Sequence, residues 1–540
     1  MFIYGWEWRG DPLQCTCVTL FFFFLSWLLI KIIFWKPPKL IVRESGQGHS
    51  WFGRDFIDKP TYCNNCKELF VTGHSCDSCG VYSCSEEQCV DQADKEIACK
   101  SLFLSQKKEM KHHWIRGNLP LCRECVTCGE FCGREPKLMD IRCVWCQTVC
   151  HDDCSKPITS CDLGKYQKWI LPPTSVTLKS LWVKGVRKQV VKDITTPPYP
   201  WQPMLVLANR KSGDNLGQSV LQMFRHLLNP AQVVDICEVP PEAALDICKL
   251  SPKTQYLVLV CGGDGTVGWV LGAIDKMKLQ TRPLVCVLPL GTGNDFARSL
   301  GWGSGYADED IEDILWDISR ARTVEHDRWS VSIRNYGYFG IKRPMKVPII
   351  HLQTLIMNCY FSIGCDAAVV LNFHRNREEN PSLFKNRILN KAWYLGYGTK
   401  DVFESVCHKL NERIAVELDG KAIELPELEG IVLLNIASWS SGCDLWAGSG
   451  LEEVSGKQSP SDGLIEVCGL YSSLHVGRLQ VGLADPCRLG QAKTVRIVVK
   501  SGFVPAQCDG EPWDQSPCII SVSAHSPALI MKREEDAGIS

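Results

Sequence analysis

The 540-residue sequence predicts a multidomain protein: an N-terminal membrane segment, two small zinc-stapled cysteine-rich modules, an α/β domain and a mainly β domain after it. Three observations predict this architecture. A 21-residue apolar run lies near the N-terminus, sixteen of the 30 cysteines fall between Cys63 and Cys161, and three apolar strands with glycine or asparagine turns follow residue 200. The predicted boundaries are 1–40 for the membrane segment, 49–99 and 112–161 for the modules, 162–199 for a basic linker, 200–330 for the α/β domain, 345–525 for the β-rich domain and 526–540 for a C-terminal tail.

Composition and charge narrow the classes of function. Apolar residues make up 45% of the chain, which supports packed cores and argues against wholesale disorder. The formal net charge is −1, so the chain as a whole has no electrostatic reason to bind nucleic acid. We therefore expect no nucleic-acid partner.

The apolar run, Cys15 to Trp35, predicts a retained membrane segment. About 20 apolar residues span a bilayer, and four consecutive phenylalanines suit lipid better than a buried core helix. A cleaved signal peptide would carry its basic residues before the apolar core. Here they lie within or after the run, at Lys31, Lys36, Lys39 and Arg43. This places the rest of the chain in the cytosol. The membrane is expected to be the endoplasmic reticulum or the plasma membrane, and the sequence does not choose between them. The uncharged run is only 18–30, so a spanning helix and a re-entrant hairpin are both open.

The second cysteine-rich module carries eight potential metal ligands, enough for two tetrahedral zinc sites. They are His112, Cys125, Cys128, Cys143, Cys146, His151, Cys154 and Cys161. A distant histidine before the first pair and a lone cysteine after the last imply that the two sites interleave. His113 could replace His112, and we interpret Cys122, Cys132 and Cys150 as bystanders. Zinc spacing explains the pairs better than disulfides, which indicates a reducing compartment.

The first module repeats this pattern in a degenerate form. Its ligands are His49, Cys63, Cys66, Cys76, Cys79, Cys84, Cys89 and Cys99. Cys84 stands where the second module has His151. Thiolate ligates zinc as well as imidazole does, so we expect metal binding to be retained.

A basic stretch, Lys179 to Lys192, follows the modules and contains no acidic residue. A solvated linker and a contact with anionic lipid explain this stretch equally well.

From residue 200 the pattern alternates between buried strands and helices. Residues 204–213, 255–266 and 283–298 each contain an apolar strand that ends in a glycine or asparagine turn. This repetition predicts an open α/β sheet, whose ligands bind at the carboxyl ends of the strands. We therefore expect the three turns to converge on one site.

The second turn has the form of a dinucleotide-binding fingerprint, Gly263-x-Gly265-x-x-Gly268, but an acid, Asp264, lies where a pyrophosphate would approach. An NAD site also needs an acid after the next strand, where this chain has a second glycine turn, 291–295. Neither the Gly-Lys-Ser/Thr phosphate loop nor the protein-kinase motifs are present. Backbone N–H groups of the two turns can bind phosphates, and Asp264 and Asp295 can hold Mg²⁺. The sequence therefore predicts a nucleotide–magnesium site.

The spacing of both modules resembles the diacylglycerol/phorbol-ester-type zinc finger of protein kinase C. In the second module, the resemblance implies one zinc on His112, Cys143, Cys146 and Cys161 and another on Cys125, Cys128, His151 and Cys154. A Gln-Gly feature of that family is missing from both modules. We therefore prefer to interpret each module as a structural or docking domain and not as a lipid-binding domain.

The rest of the chain resembles the diacylglycerol kinases, closest to their epsilon type. The resemblance covers about Asp55 to Ile520. It is carried by “GGDGTVGWVL” (262–271), “LPLGTGNDFAR” (288–298), “YFSIGCDA” (360–367), “NFHRNRE” (372–378), “NKAWYLGYGTKD” (390–401), “SDGLIEV” (461–467) and “DGEPW” (509–513). It implies an α/β lipid-kinase catalytic domain with a mainly β accessory domain. The implied reaction is phosphorylation of membrane 1,2-diacylglycerol by ATP and Mg²⁺, which gives phosphatidic acid, attenuates diacylglycerol signalling and feeds phosphatidylinositol turnover.

The resemblance also implies roles for single residues. ATP would be lined by Asn209, Ser212, Gly262, Gly263, Gly265, Thr266, Gly291, Thr292, Gly293 and Asn294. A magnesium–water network would use Asp264, Asp295 and Asp327. The predicted catalytic acids are Asp264, Asp509 and Glu511, with the last two at the position of a general base. Asp366 would contribute to the cleft, and Asp462 matches a structural metal ligand whose second acid is replaced here by Ser459.

The residues themselves leave alternatives open. Gly265 can be a tight turn only, Asp327 a strand-end cap, and Asp509 the acid of a type I′ hairpin. A stretch that the epsilon type associates with arachidonoyl-rich substrate runs from Leu418 to Gly430, with Ala422 in place of its arginine. A sphingosine- or ceramide-type lipid kinase, and a zinc-finger docking protein with an inactive kinase fold, are the competing functions. Protein partners are not predicted.

Overall fold

The computed structural model describes residues 40–42, 48–54, 60–104, 109–120, 122–134, 138–183, 186–213, 216–335, 352–379, 407–446, 457–480 and 482–534. The chain divides into two units, Met1–Lys39 and Leu40–Ser540, and every described residue belongs to the second unit. The predicted membrane segment at 15–35 and the motif at 390–401 lie outside the described residues. In the part of the chain that is described, no helix is both long and apolar enough to cross a bilayer.

The two cysteine-rich modules are built from short antiparallel strands. After strand β1 (Ile41–Val42), the first module contains β2 (Trp51–Arg54), β3 (Thr61–Tyr62), β4 (Leu69–Phe70), β5 (Gly73–Cys76), β6 (Tyr82–Cys84) and helix α1 (Glu87–Glu96). The second contains β7 (Trp114–Arg116), β8 (Ile141–Cys143) and β9 (Val149–Cys150). The strand orders are β2-β5-β6, β3-β4 and β7-β8-β9. Helix α1 turns Cys89 inward, so its buried face carries one of the predicted ligands.

The predicted basic linker at 162–199 is wrong as a description of this segment. Strands β10 (Val176–Val183) and β11 (Val186–Ile194) form an antiparallel hairpin, and β1 pairs with the outer side of β11. The physical reason lies in its apolar residues: Val176, Val190 and Ile194 are buried, whereas a solvated linker would expose them. The basic residues therefore lie on a folded ribbon.

The predicted α/β sheet is confirmed. Parallel strands β12 (Met204–Ala208), β13 (Val233–Asp235), β14 (Leu257–Gly262) and β15 (Leu284–Pro289) take the order β13-β12-β14-β15. They alternate with helices α2 (Leu216–Leu227), α3 (Pro241–Leu245), α4 (Asp264–Met277), α5 (Asp295–Ser299) and α6 (Ile311–Arg320). In register, Ala208 lies beside Cys261 and Gly262 beside Pro289, so the carboxyl ends of three strands meet at one edge.

The accessory domain is mainly β, as predicted. Its elements are β16 (Arg322–Asn335), β17 (Leu352–Met357), β18 (Tyr360–Gly364), α7 (Cys365–Glu379), α8 (Leu410–Arg413), β19 (Ile414–Leu418), β20 (Lys421–Ile423), β21 (Gly430–Leu434), β22 (Ile465–Leu470), α9 (Ser473–Gln480), β23 (Cys487–Ala492), β24 (Thr494–Val499), β25 (Val504–Cys508), β26 (Glu511–Gln515) and β27 (Cys518–Lys532). One sheet has the order β23-β22-β21-β18-β25-β26.

The predicted C-terminal tail at 526–540 is wrong over its described part. Strand β27 continues to Lys532 and pairs in parallel with β15, where Val285 lies beside Ile530. The large sheet therefore runs β13-β12-β14-β15-β27-β24-β19-β20, and its strands come from both domains. Ile530 is fully buried, so the strand is held by core packing that a free tail would lack.

Both modules share a core with the catalytic domain. One hydrophobic cluster contains Val81 of the first module, Trp145 of the second and Phe224 of helix α2, all of them buried. Shared burial of this kind ties the modules to the catalytic body as packed parts of it.

Candidate active site

The three predicted turns converge at the carboxyl edge of the parallel sheet. A β-carbon on Gly291 would lie 2.6 Å from the Gly263 Cα, so the second and third turns touch main chain to main chain. A β-carbon on Gly213, which ends the first turn, would lie 2.8 Å from the Leu290 carbonyl oxygen. Glycine is required at Gly291 because only a residue without a side chain permits this approach.

Gly265 lies on the open side of this assembly. It is in the first turn of α4, a 14-residue helix that begins at Asp264. A β-carbon there would meet only the Glu511 Oε1 atom, at 3.7 Å. Backbone N–H groups at a helix start have no helical acceptors and bind anions well. The exposed face of Gly265 therefore suits a phosphate group.

Asp264 joins the two glycine turns. Its Oδ2 and Oδ1 atoms accept hydrogen bonds from the backbone N–H groups of Asp295 and Phe296, each at 3.1 Å. It therefore satisfies the start of α5 from outside that helix. Burial and, next, the charge of Asp295 raise the pKa of Asp264 to about 6.

Asp295 connects the glycine turns to the accessory domain. Its carboxylate accepts hydrogen bonds from the Ser438 hydroxyl at 2.6 Å, the Ser441 backbone N–H at 3.0 Å and the Tyr360 hydroxyl at 3.3 Å. A β-carbon on Gly293 would lie 3.6 Å from an oxygen of both Asp264 and Asp295. Asp264 uses only two of its about four lone-pair sites in the bonds given above, so it can still offer the hard oxygen ligand that Mg²⁺ prefers, with the Asp295 carboxylate beside it.

Asp509 occupies a two-residue hairpin turn between β25 and β26. Cys508 pairs with Glu511, and the φ angles of Asp509 and Gly510 are 48° and 86°, as in a type I′ turn. Burial raises the pKa of Asp509 above its usual value.

Four hydrogen bonds occupy the Asp509 carboxylate. It accepts from the backbone N–H of Asn358 at 2.8 Å, the Asn358 Nδ2 at 3.0 Å, the Cys359 N–H at 2.8 Å and the Tyr360 N–H at 3.1 Å. A carboxylate has about four lone-pair sites, so this one has no acceptor site left for a substrate hydroxyl. The geometry is that of the type I′ hairpin acid, which the sequence left open as the alternative to a general base.

Glu511, two residues later, is exposed and lies across from Gly265. The hairpin turn thus presents one carboxylate inward, on Asp509, and one toward the phosphate-type helix start, on Glu511. Of these two predicted acids, Glu511 is the one that a second substrate can reach.

Asp327, predicted to take part in a magnesium–water network, is bonded to the backbone of a neighbouring turn. Its Oδ2 atom accepts a hydrogen bond from the Gly463 N–H at 2.7 Å, and its own N–H donates to the Pro460 carbonyl at 2.7 Å. Asp327 therefore fixes the 460–463 turn, because its side chain is in reach of that backbone. Burial and the charge of Asp327 raise the pKa of Asp462 in the same turn. Among the described residues, three or more acidic, histidine or cysteine ligand atoms come within 4.8 Å of one another only in the cysteine-rich modules.

Asn209, Ser212 and Asn294 shape their turns. The Asn209 side-chain oxygen accepts from the Lys211 N–H at 3.1 Å, and the Ser212 N–H donates to the Asn209 carbonyl at 3.0 Å. Buried Asn294 donates from Nδ2 to the carbonyls of Gly291 and Ser304, both at 2.8 Å. The structure thus brings these predicted ATP residues together as the framework of the site.

Sequence reasoning missed the accessory-domain residues that hold the carboxylates, chiefly Asn358, Tyr360, Ser438 and Ser441. Tyr360 lies in a quoted motif, but nothing local indicated that its hydroxyl contacts Asp295. Asp366, predicted to contribute to the cleft, is buried and accepts from the Ser362 hydroxyl at 2.5 Å and Gln507 Nε2 at 3.3 Å. Burial raises the pKa of Asp366 to about 6.

The cysteine-rich modules form four groups of four residues whose ligand atoms lie within 4.8 Å of one another. They are His49 with Cys76, Cys79 and Cys99; Cys63 with Cys66, Cys84 and Cys89; His112 with Cys143, Cys146 and Cys161; and Cys125 with Cys128, His151 and Cys154. Each group could hold a zinc ion, since sulfur and imidazole donors at this spacing suit a tetrahedral site. Cys84 takes the predicted place of a histidine.

Neighbouring residues support the choice of ligands. His113 is directed elsewhere, because its Nε2 pairs with the Ala98 carbonyl at 2.9 Å. His49 pairs through Nε2 with the Ile97 carbonyl at 2.9 Å, which leaves Nδ1 facing Cys79 at 3.2 Å. Cys132 and Cys150 lie in a small apolar cluster, and Cys132 also lies within 4.8 Å of ligand atoms of Asp140 and His151.

Comparison with known proteins agrees with this geometry. Residues 203–325 match the model of the diacylglycerol kinase catalytic domain, and residues 356–512 match that of the diacylglycerol kinase accessory domain. The chain is 30% identical to diacylglycerol kinase 2 of Arabidopsis thaliana over 99% of its own length and 92% of that relative. The chain belongs to the diacylglycerol kinase family.

Other diacylglycerol kinases match over different lengths. The probable diacylglycerol kinase 3 of Caenorhabditis elegans is 37% identical over 91% of this chain, which spans 64% of that relative. A solved structure of a putative diacylglycerol kinase from Bacillus anthracis aligns with 61% of this chain and 97% of its own, at 17% identity and a TM-score of 0.40.

Proposed function

We propose that this diacylglycerol kinase family member transfers the γ-phosphoryl group of ATP to the free hydroxyl of membrane 1,2-diacylglycerol, giving phosphatidic acid. The observation that carries the proposal is the pairing of Gly265 with Glu511: an exposed carboxylate oxygen lies 3.7 Å from the place of a Gly265 β-carbon, beside an open helix start. One side suits phosphates and the other suits a hydroxyl proton. By removing diacylglycerol, the reaction would attenuate its signalling and feed phosphatidylinositol turnover.

The nucleotide side is made from main chain. The backbone N–H groups of residues 263–265 lie at the start of α4, where phosphate oxygens gain both hydrogen bonds and the favourable helix dipole. Mg²⁺, when bound, would neutralise phosphate charge, with Asp264 and Asp295 as its protein ligands. The main-chain donors orient the γ-phosphoryl group toward the hairpin.

The hydroxyl side is made from the β25–β26 hairpin. The substrate oxygen attacks the γ-phosphorus, the bond from that phosphorus to the β–γ bridging oxygen breaks, and ADP leaves. The hydroxyl proton passes to the Glu511 carboxylate, while Asp509 holds the hairpin against residues 358–360. Phosphoryl transfer proceeds through a loose transition state, so correct positioning carries much of the rate.

The membrane setting rests on two features. The apolar segment at 15–35 would anchor the chain, with the catalytic domain on the cytosolic side of the endoplasmic reticulum or plasma membrane. The β10–β11 hairpin would contact anionic phospholipid: Trp182 near its tip is 77% exposed, and Lys188 and Lys192 are exposed on β11. Tryptophan prefers the bilayer interface, and lysine is attracted to anionic headgroups.

Three finer features are part of the proposal. The four ligand groups would hold four zinc ions, two in each module. Within the diacylglycerol kinase family, this chain would be most similar to the epsilon type. A preference for arachidonoyl-containing diacylglycerol would involve the stretch from Leu418 to Gly430, whose Lys421 and Ala422 are exposed on β20.

One assay tests the reaction. Purified full-length protein is incubated with γ-labelled ATP, Mg²⁺ and mixed micelles of diacylglycerol, sphingosine or ceramide, and the labelled lipid is identified. We expect phosphatidic acid only, and no label above background from a Gly265→Asp variant prepared identically. Label on sphingosine or ceramide would favour the other lipid-kinase class. No labelled lipid with any substrate would favour a docking protein with an inactive kinase fold.

A further inference from the structure

A single lysine between the two modules caps a helix of the catalytic domain. Lys100 follows the metal-ligand candidate Cys99 directly and is 4% exposed. Its Nζ atom lies 2.8 Å from the carbonyl oxygens of His226 and Leu228 and 3.2 Å from those of Arg225 and Leu227. Three N–H donors are thus distributed over four carbonyl groups at the carboxyl end of α2.

This arrangement meets a general need of helices. The last four carbonyl groups of a helix have no partner within it, and the carboxyl end carries a partial negative charge. The terminal nitrogen of a lysine side chain at this end supplies hydrogen-bond donors to several of these carbonyl groups at once. Because Lys100 is buried, water cannot take over this role if the side chain is removed.

Both modules hold the same helix end. In the first, Asp77 forms an ion pair with Arg225, and the Cys76 carbonyl is 2.9 Å from His226 Nε2. In the second, the Trp145 ring lies 4.5 Å from Lys100 Nζ, and Gln147 Nε2 donates to the His226 carbonyl at 3.3 Å. Three of these residues neighbour candidate zinc ligands directly: Asp77 follows Cys76, and Trp145 and Gln147 lie on either side of Cys146.

The other end of α2 lies against the first nucleotide turn. A β-carbon on Gly217, in the first turn of α2, would overlap the Asn209 carbonyl oxygen, so helix and turn are in direct main-chain contact. The Gly217 N–H also donates to the Ser212 carbonyl at 3.2 Å. A shift of α2 along or about its axis must therefore move Asn209 and Ser212, because this close packing leaves no free space.

We infer that Lys100 is a positioning residue for nucleotide binding, through which the two cysteine-rich modules hold α2 and thereby the Asn209–Gly213 turn. The inference rests on the proposed ATP site and adds a role for the modules that is separate from lipid docking. It explains why the modules share a core with the catalytic domain.

The first test measures nucleotide binding without any lipid. Full-length Lys100→Met is titrated with the fluorescent analogue TNP-ATP and compared with wild type and with Lys165→Met. Lys165 serves as a control, because its Nζ pairs with Glu312 of α6 at 2.9 Å and not with the carbonyl groups at the end of α2. We expect the Kd of Lys100→Met to rise roughly tenfold, with Lys165→Met within twofold of wild type.

The second test separates positioning from general loss of structure. In steady-state kinetics, Lys100→Met should raise the KM for ATP about tenfold and leave the KM for diacylglycerol within twofold. Lys100→Arg, which keeps the donors, should recover part of the ATP affinity. If Lys100→Met is poorly folded, Asp77→Asn reports on the same helix end through Arg225 and should raise the Kd two- to threefold.

An unchanged TNP-ATP Kd in folded Lys100→Met, or equal rises for Lys100→Met and Lys165→Met, would overturn the inference. A wild-type protein that binds no TNP-ATP would instead overturn the proposed ATP site. A wild type that binds TNP-ATP but phosphorylates no lipid would remove the proposed reaction and leave the Lys100 inference standing.

Discussion

The two walls of the cleft are built in different ways. The nucleotide wall consists of glycine turns that touch main chain to main chain, as at Gly263 and Gly291, and its donors are backbone N–H groups. The hairpin wall depends on a half-buried side chain, Asp509, that ties β25 and β26 to residues about 150 positions earlier. This difference predicts different sensitivities. An added side chain or charge should impair phosphate binding at the glycine turns, whereas loss of the Asp509 carboxylate should weaken the attachment of the β25–β26 hairpin.

The largest effect should come from the nucleotide wall. Gly265→Asp places a negative charge at the open start of α4, where it would repel the phosphate groups of ATP. It should therefore lower kcat/KM by about 10³-fold or more, where each factor of ten corresponds to about 1.36 kcal/mol of transition-state stabilisation. Gly265→Ala is the matched control: its methyl group would meet only Glu511 at 3.7 Å, so it should retain much more activity. Equal losses in the two variants would show that bulk, and not charge, decides at this position.

A substitution in the hairpin wall should act mainly by lowering the stability of the protein. Asp509→Asn turns an amide group toward N–H donors of residues 358–360, so it should lower the free energy of unfolding by about 2–4 kcal/mol and reduce kcat as the hairpin loosens. Denaturant unfolding and turnover are measured on the same preparations. If Asp509→Asn loses turnover but keeps wild-type stability, Asp509 returns as the candidate general base.

A substitution on the β10–β11 hairpin, which is separate from both walls, should affect only the binding of the protein to the membrane. Trp182→Ala should raise the apparent KM for diacylglycerol about tenfold on vesicles that contain phosphatidylserine, and less on neutral vesicles. Trp316→Ala controls for the loss of an exposed tryptophan, because Trp316 is 63% exposed on α6. The same rise in both variants, or in neither, would remove the β10–β11 hairpin from the membrane contact.

The smallest expected effect concerns Asp366, behind the hairpin wall. Burial raises its pKa from the usual 3.8 to about 6. Between these values the folded protein keeps a proton that the unfolded chain has released, so this group lowers stability as the pH rises from about 4 to 6, by about 3 kcal/mol at most.

Asp366→Asn removes that titration. The Tm difference, variant minus wild type, should therefore increase as the pH rises from 4.5 to 7.5, and comparing the two proteins cancels the titration of other groups. Thermal unfolding at four pH values measures this. A difference that does not change with pH would show that Asp366 is ionised like an ordinary surface carboxylate.

Features that are local in sequence could be predicted. The glycine turns, the apolar strands before them and the set of metal ligands follow from pattern, because each signal is local in the sequence. The division of the second module's ligands into two groups came from the resemblance to a known zinc finger. Even the replacement of histidine by Cys84 was predictable, because its position in the spacing was unchanged.

Features that depend on distant pairing could not be predicted. The partners of Asp509 lie 149 to 151 residues away, and no local pattern distinguishes a substrate-facing acid from one that accepts backbone hydrogen bonds. The bond between Asp327 and the Gly463 N–H, 136 residues further along the chain, is likewise invisible to local pattern. The β10–β11 hairpin and the end of β27 resembled a linker and a tail, because their burial depends on other domains.

The most direct test of the two-wall account is the kinetics of Glu511→Gln. Glu511 is exposed, so the variant should keep wild-type stability and ATP KM while kcat on saturating diacylglycerol falls by about 10²–10⁴-fold, the usual contribution of a general base. Wild-type kcat in this variant, or a loss that appears mainly in the ATP KM, would contradict the assignment of the hairpin wall to the lipid hydroxyl.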